Sequence, residues 1–204
     1  MTGLVLGLLL SSGGTPSRSP AEAHQLVTGA AATAADWGPG FADLGDKYDT
    51  GELLARKDCE LTERGSRPGT LVALQRAAQR DADTLLAISD ARAFKNAATA
   101  EAYMDDIEDT IHRCPVQRIA KSRYEDVREG PAPKVSGLDD VISEEGKTTR
   151  DAVGKKANYS YIALTARKGE VVLYAAVAGP AENKAELPRL AADAMQRMNE
   201  RLPD

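Results

Sequence analysis

Cys59 and Cys114 are the only two cysteines in the chain, and the second closes a segment whose apolar residues repeat at helical spacing. Ala100, Tyr103, Met104, Ile107 and Ile111 recur three and four positions apart, which draws one apolar stripe along a helix over 99–113. Glu101, Asp105, Asp106, Glu108, Asp109 and Arg113 fill the other side, so this helix lies on a core and does not run through it. Asn96 or Thr99 caps its start, and Pro115 stops it just beyond Cys114. A cysteine at a helix end with a single partner upstream predicts a Cys59–Cys114 bridge, a stabiliser suited to an oxidising compartment.

A chain of 204 residues is one domain, or one domain and a tail, and a domain of that size buries about 70% of its unfolded surface without needing a staple. Twenty-six basic residues face 31 acidic ones, for a net charge of -5 with no basic block, which argues against nucleic acid as a partner. The apolar run 4–10, followed by Ser11, Ser12, Gly13 and Gly14, is too short to span a bilayer and resembles the end of an export leader. Ala21-Glu22-Ala23 supplies a small-x-small cleavage pattern, and Pro16, Ser17, Ser19 and Pro20 read as a flexible join. Residues 1–33 are therefore expected to be residual leader and flexible segment, and 34–204 a single domain. The expected location is secreted or cell-envelope associated, with no membrane span.

Within that domain, Trp37 and Phe41 sit in a turn broken by Gly38, Pro39 and Gly40 that packs its aromatics onto the rest. Over 70–80 Val72 and Leu74 alternate as in a strand, while the Ala, Leu, Gln and Arg content suits a helix. The turn at 80–83 favours the strand and leads to a second over 84–94. The faces of that second strand, Leu85, Ala87, Ser89, Ala91 and Leu86, Ile88, Asp90, Arg92, are neither of them cleanly polar and leave its orientation open. Between 116 and 154 the chain is charged and punctuated by Gly130-Pro131-Ala132-Pro133, with short strands near 119–127 and 140–143. The strongest strand signal follows, 158–167 and 170–178 around Lys168-Gly169. A two-residue loop there sets Tyr174 opposite Ala163. Ile162, Leu164, Ala166, Val171, Leu173, Ala175 and Val177 then form the core face, and Tyr159, Tyr161, Thr165, Arg167, Glu170, Val172 and Tyr174 the other. A last helix over 184–202 aligns Leu187, Leu190, Ala191, Ala194, Met198 and Leu202, with Pro188 in its first turn. The expected fold is α+β: a twisted antiparallel sheet of about five or six strands with the helices 99–113 and 184–202 on one face and the tyrosines on the uncovered one.

The sequence carries no phosphate-binding loop, dinucleotide fingerprint, HExxH, GxSxG or CxxC. His112 and Cys114, two apart on a helix, point to different sides and make no catalytic dyad. Cys59, Cys114 and His112 lack a fourth ligand and paired spacing for zinc. Asp105, Asp106, Glu108 and Asp109 read as a solvated helix face, and Asp139-Asp140 with Glu144-Glu145 as a charged loop without the calcium-loop pattern. No catalytic residue, metal or cofactor is expected. The candidate ligand-binding residues are Tyr159, Tyr161 and Tyr174, because a broad apolar ring with a polar tip suits recognition at a half-wet surface.

The order of Cys59, paired strands, a helix ending in Cys114, an Asp-rich loop, a Tyr-rich hairpin and a terminal helix resembles the PknH-type actinobacterial extracellular sensor domains and their secreted or lipoprotein relatives. The resemblance covers 53–202 and rests on the helix 99–114 and the hairpin 159–179. It implies a twisted antiparallel sheet, two helices on one face and a cleft proposed to bind a ligand. The chain departs from the family in having one cysteine pair where the kinase sensors have two, and Ile111 where they have an aromatic. The expected function is a secreted, non-enzymatic, sensor-like module that binds a small molecule, a cell-wall component or a protein. The alternative is an extracellular enzyme with a site assembled from loop residues.

Overall fold

The computed structural model describes residues 18–81, 84–120, 122–152 and 155–203, so the apolar run 4–10 lies outside the described residues. Among those described, ten strands alternate with three α-helices: α1 (Pro20–Ala30), β1 (Ala42–Tyr48), β2 (Glu52–Ala55), β3 (Leu61–Arg64), β4 (Thr70–Arg80) and β5 (Leu85–Phe94) come first. Then come α2 (Ala97–Arg113), β6 (Val116–Ile119), β7 (Ser122–Glu129), β8 (Asp140–Ala152), β9 (Lys155–Lys168), β10 (Val171–Gly179) and α3 (Leu187–Glu200). Eight strands form one sheet in the order β1-β4-β5-β10-β9-β8-β7-β6, and β2-β3 is a separate hairpin. Every neighbouring pair in the large sheet is antiparallel. The strand count therefore exceeds the expected five or six.

The helices correct the expected layering. Alternate residues of the central strands, Leu74, Ala87, Ala91, Leu164, Leu173 and Val177, join Leu190, Ala194 and Met198 of α3 and Ala23, Val27 and Ala30 of α1 in one core. Helix α2 lies on the opposite face, where Ala100, Met104 and Ile111 meet Phe94, Ile142 and Val172. The reason is occupancy: α1 and α3 already cover the first face, and the narrow stripe of α2 matches the apolar patch at one end of the second. The segment read as leader and flexible join thus supplies α1, whose start is fixed by a capping box between Ser19 and Glu22 and by Pro20 in its first turn. Trp37 and Phe41 pack together as expected, ring centroids 6.3 Å apart, with Trp37 buried in the main core.

The cysteines are joined, with sulfurs 2.09 Å and Cα atoms 5.5 Å apart, and Asn96 caps α2 by accepting from the Thr99 N–H at 2.9 Å. In the β9–β10 hairpin the loop is Gly169-Glu170, one residue later than expected, so Tyr174 pairs with Thr165 and not with Ala163. Moving the turn by one position shifts the pairing by two and leaves each side chain on its predicted face. Ile162, Leu164, Ala166, Val171, Leu173, Ala175 and Val177 are all buried in the main core.

Candidate ligand-binding face

Because α2 crosses only one end of its side of the sheet, that side divides into a covered and an uncovered half. The covered half is built around a buried ion pair. Arg92 Nε lies 2.9 Å from Asp90 Oδ1, and both side chains are only 7% exposed. The guanidinium also donates to Thr50 O at 3.1 Å, Thr50 Oγ1 at 3.1 Å and Gly51 O at 3.2 Å, which straps the loop after β1 onto β5. Arg92 and Arg67 both approach the ring of Tyr103, at 5.6 and 5.0 Å from its centroid. Burial pushes the Tyr103 hydroxyl up to about 12. Arg67 in turn holds Glu52 at 3.0 Å and Asp106 at 2.7 Å, which ties the β2–β3 hairpin to α2.

The uncovered half carries the three candidate tyrosines. Tyr159 and Tyr174 are half-buried, whereas Tyr161 is 8% exposed. The register sets Glu144 opposite Ala163 and Gly146 opposite Tyr161. Tyr161 leans across the glycine and donates its hydroxyl hydrogen to Glu144 Oε1 at 2.6 Å. Its ring meets Tyr124 edge-on at 5.5 Å. Tyr174, opposite Asp90 on one side and Thr165 on the other, stands one row from Ala163. The structure thus brings Tyr161, Tyr174 and Glu144 around one small residue, and it does not bring Tyr161 and Tyr174 together as an aromatic pair. Ile88, Ala176 and Ala178, all half-buried, continue the face.

Burial pushes the Glu144 carboxyl above its usual range, against the Tyr161 hydrogen bond, which lowers it. The Tyr161 hydroxyl is raised by burial first and then by the charge of Glu144 and their hydrogen bond, and Tyr174 is raised by burial and Glu144 in the same order. Glu144 forms no ion pair among the described residues. Of the three cations lining the depression beside Tyr161, Lys147 is held by Asp126 at 2.6 Å and Arg128 by Glu145 at 2.5 Å, and Lys184 is the third.

Gly146 is the residue that permits this arrangement, since a Cβ there would stand 2.9 Å from Tyr161 Cε1 and 2.9 Å from the Glu125 carbonyl oxygen. Gly146→Ala is expected to swing Tyr161 off Glu144 and destabilise the fold by about 1–3 kcal/mol, as overpacking does. Near-ultraviolet circular dichroism and urea unfolding check both effects, and an unchanged tyrosine signal would contradict this placement of the ring.

The sequence sets Glu144 in a charged stretch and does not place Tyr124 beside it. The one signal for them was a glycine within a stretch otherwise able to form a strand, which marks close approach of another group. Elsewhere, Glu108, His112 and Glu129 bring one ligand atom each within 4.8 Å of one another on an exposed surface. The His112 Nε2 contact to Glu129 Oε2 at 3.2 Å accounts for part of that grouping.

No protein-family model matches the chain, and no curated protein matches it. Among solved structures the chain is similar to the extracellular domain of PknH from Mycobacterium tuberculosis, with a TM-score of 0.54 and 13% identity over 92% of this chain and 100% of that one. At such identity the likeness establishes a shared fold. Among the described residues no helix is long and apolar enough to cross a membrane.

Proposed function

We propose that the chain is an exported, sensor-like binding module that receives its ligand on the uncovered half of the α2 face, over Tyr159, Tyr161 and Tyr174. The observation that carries this reading is Glu144. A half-buried carboxylate given one hydrogen bond and no counter-charge costs free energy in the empty protein, and such a cost is kept where a partner relieves it. The tyrosines around it supply apolar area with polar tips, and the rigid sheet beneath them holds the set in place without ligand-driven ordering. The extracellular location of the PknH domain that shares this fold supports export. His24 lies away from this face, edge-on against Tyr48 at 4.7 Å, and His112 reaches its margin through Glu129, the strand partner of Glu144. The tyrosine set itself holds no histidine, which favours binding over acid–base catalysis.

A thermal-shift screen of small molecules and soluble cell-wall fragments tests the reading. A ligand at one hundred times its dissociation constant adds about 2.7 kcal/mol, which raises the midpoint of a chain this size by roughly 5–10 °C. That shift is expected to disappear in Tyr159→Ser and Tyr174→Ser, two half-buried positions whose variants keep a cooperative transition. A ligand whose shift survives both substitutions would place binding elsewhere and sink the proposal.

A further inference from the structure

The covered half of the α2 face shows what this surface does with positive charge. There Arg92 lies against the Asp90 carboxylate at 2.9 Å and over the Tyr103 ring at 5.6 Å, with Arg67 on the same ring at 5.0 Å. Carboxylate, cation and aromatic ring form one unit, the arrangement in which ring quadrupole and anion act together on a cation. Across the sheet the same parts recur. Glu144 provides the carboxylate from β8, and Tyr161 on β9 and Tyr174 on β10 provide rings. The member that is missing is the cation, for among the described residues nothing positive pairs with Glu144. Of the cations that border the neighbouring depression, Lys147 and Arg128 are held by Asp126 and Glu145, and Lys184 makes no ion pair with Glu144.

We infer that this site binds a small organic cation of the alkylammonium class, its charge against the Glu144 carboxylate and its carbons on the Tyr161 and Tyr174 rings. The inference rests on the reading of this face as a binding surface and names the ligand chemistry for it. Glu144 Oε1 takes the Tyr161 hydroxyl at 2.6 Å, and Oε2 accepts no hydrogen bond from the described residues, so one oxygen faces the ligand while the other fixes the carboxylate. The small side chains of Ala163 and Ala176 keep the floor between the rings low, and half-buried Ile88 extends it for an alkyl group. An anion would meet Glu144 and, opposite it in register, Glu129. A neutral ligand would leave the Glu144 charge uncompensated.

The groups facing Glu144 are Glu129 from β7, opposite it in register and in contact with His112 of α2 at 3.2 Å, Tyr161 from β9 and Tyr174 from β10, the last two phenols that ordinarily titrate near pH 10, far above a carboxyl. Proton and ligand cation therefore compete for one carboxylate. Affinity is expected to rise as pH increases through the Glu144 titration, which burial has moved upward, and to level off once the carboxylate is fully charged.

Titrations followed by NMR chemical shifts of the whole chain decide the matter, with tetramethylammonium and n-butylammonium as cations and 3,3-dimethylbutan-1-ol as a neutral probe of similar bulk. The cations are expected to shift Tyr161 and Tyr174 and to bind at least about tenfold tighter than the alcohol, roughly the worth of one desolvated cation–ring contact with its counter-ion. Glu144→Gln, which keeps an oxygen for the Tyr161 hydroxyl, is expected to lose that preference and the pH dependence while unfolding at or above the wild-type midpoint, since the uncompensated charge is gone. Equal binding of alcohol and cations on these tyrosines would overturn the cation assignment and leave the binding face standing. Absence of any shift at the tyrosines, from either probe type, would remove both. Tight binding of an N-acetyl-lysine amide with none of the free amines would overturn a small free cation in favour of a lysine-bearing chain.

Discussion

Arg92→Met is expected to cost about 3–5 kcal/mol of stability, the range found when one member of a buried ion pair is removed and the other is left behind. Asp90 then stays almost fully enclosed without its partner at 2.9 Å, and the Thr50 and Gly51 carbonyls lose the donor that holds their loop to β5. The loss depends on pH in a defined sense. Burial already raises the Asp90 carboxyl, with Arg92 as the first influence opposing it, so removing the guanidinium raises it further. A folded-state value above the unfolded one means that the folded protein holds the proton more tightly. The deficit of the variant is therefore small below the ordinary aspartate range and grows as pH rises through the raised value. Urea unfolding at acid and neutral pH measures this directly. A deficit under about 1 kcal/mol at neutral pH, or one that grows on acidification, would contradict the burial of the pair.

Adding Asp90→Asn separates charge from strapping. The neutral amide removes the uncompensated charge, while the carbonyls of Thr50 and Gly51 remain without Arg92. The double variant is expected to recover part of the loss and to abolish its pH dependence, since interaction within such a pair is not additive.

What the sequence made legible follows from where apolar periodicity is strong. Helices α2 and α3 and the two faces of the β9–β10 hairpin are read from alternation or three-and-four spacing, because each buries one face against a core, whereas β4 suits a helix equally by composition and is set as a strand by the turn that leads into β5. Strand β1 offers no such signal: all seven residues from Ala42 to Tyr48 are exposed, and it pairs with β4 through edge hydrogen bonds and the Arg76–Asp46 ion pair at 3.2 Å. Strand β8 was legible only as far as Ser143, since beyond it Glu145, Lys147 and Asp151 follow one another in a strand that runs past the core. Helix α1 carried its capping box and its first-turn proline in plain view, but the small residues Ala21 and Ala23 read equally as a cleavage pattern. That choice displaced α2 in the expected layering, because a chain with only two helices has no reason to split them between faces. Of the site, the shared facing of Tyr159, Tyr161 and Tyr174 was legible from strand parity. Glu144 was not, because its significance lies in the absence of a counter-charge, which no local pattern encodes.

Replacing both Cys59 and Cys114 with serine is expected to remove about 4 kcal/mol in the chain-entropy account, given 55 residues between the bridged positions. For a domain of this size that is roughly 8–16 °C in the unfolding midpoint. The structure adds where the loosening should appear. The β2–β3 hairpin is held to the rest by the bridge, by Arg113 donating to the Arg56 carbonyl at 3.0 Å, by the Arg118 N–H donating to the Cys59 carbonyl at 3.2 Å, and by the Glu52–Arg67 pair at 3.0 Å. With these polar ties remaining, and with Arg113 also donating to the Ala55 carbonyl at 3.4 Å, the hairpin is expected to stay docked yet exchange its amide hydrogens faster, while β5, β9 and β10 keep their protection relative to the lowered global limit. Cys59 also occupies left-handed backbone, φ 62°, a conformation that costs a residue with a Cβ about 1 kcal/mol or more. In the absence of the bridge, glycine at position 59 removes that strain and serine does not. Cys59→Gly with Cys114→Ser is therefore expected to unfold at a higher midpoint than the double serine variant, by up to about 1 kcal/mol after the greater chain entropy of glycine is counted. The reverse order would show that the turn at Cys59 relaxes once the sulfur is free, and that the bridge itself holds the strained backbone in place.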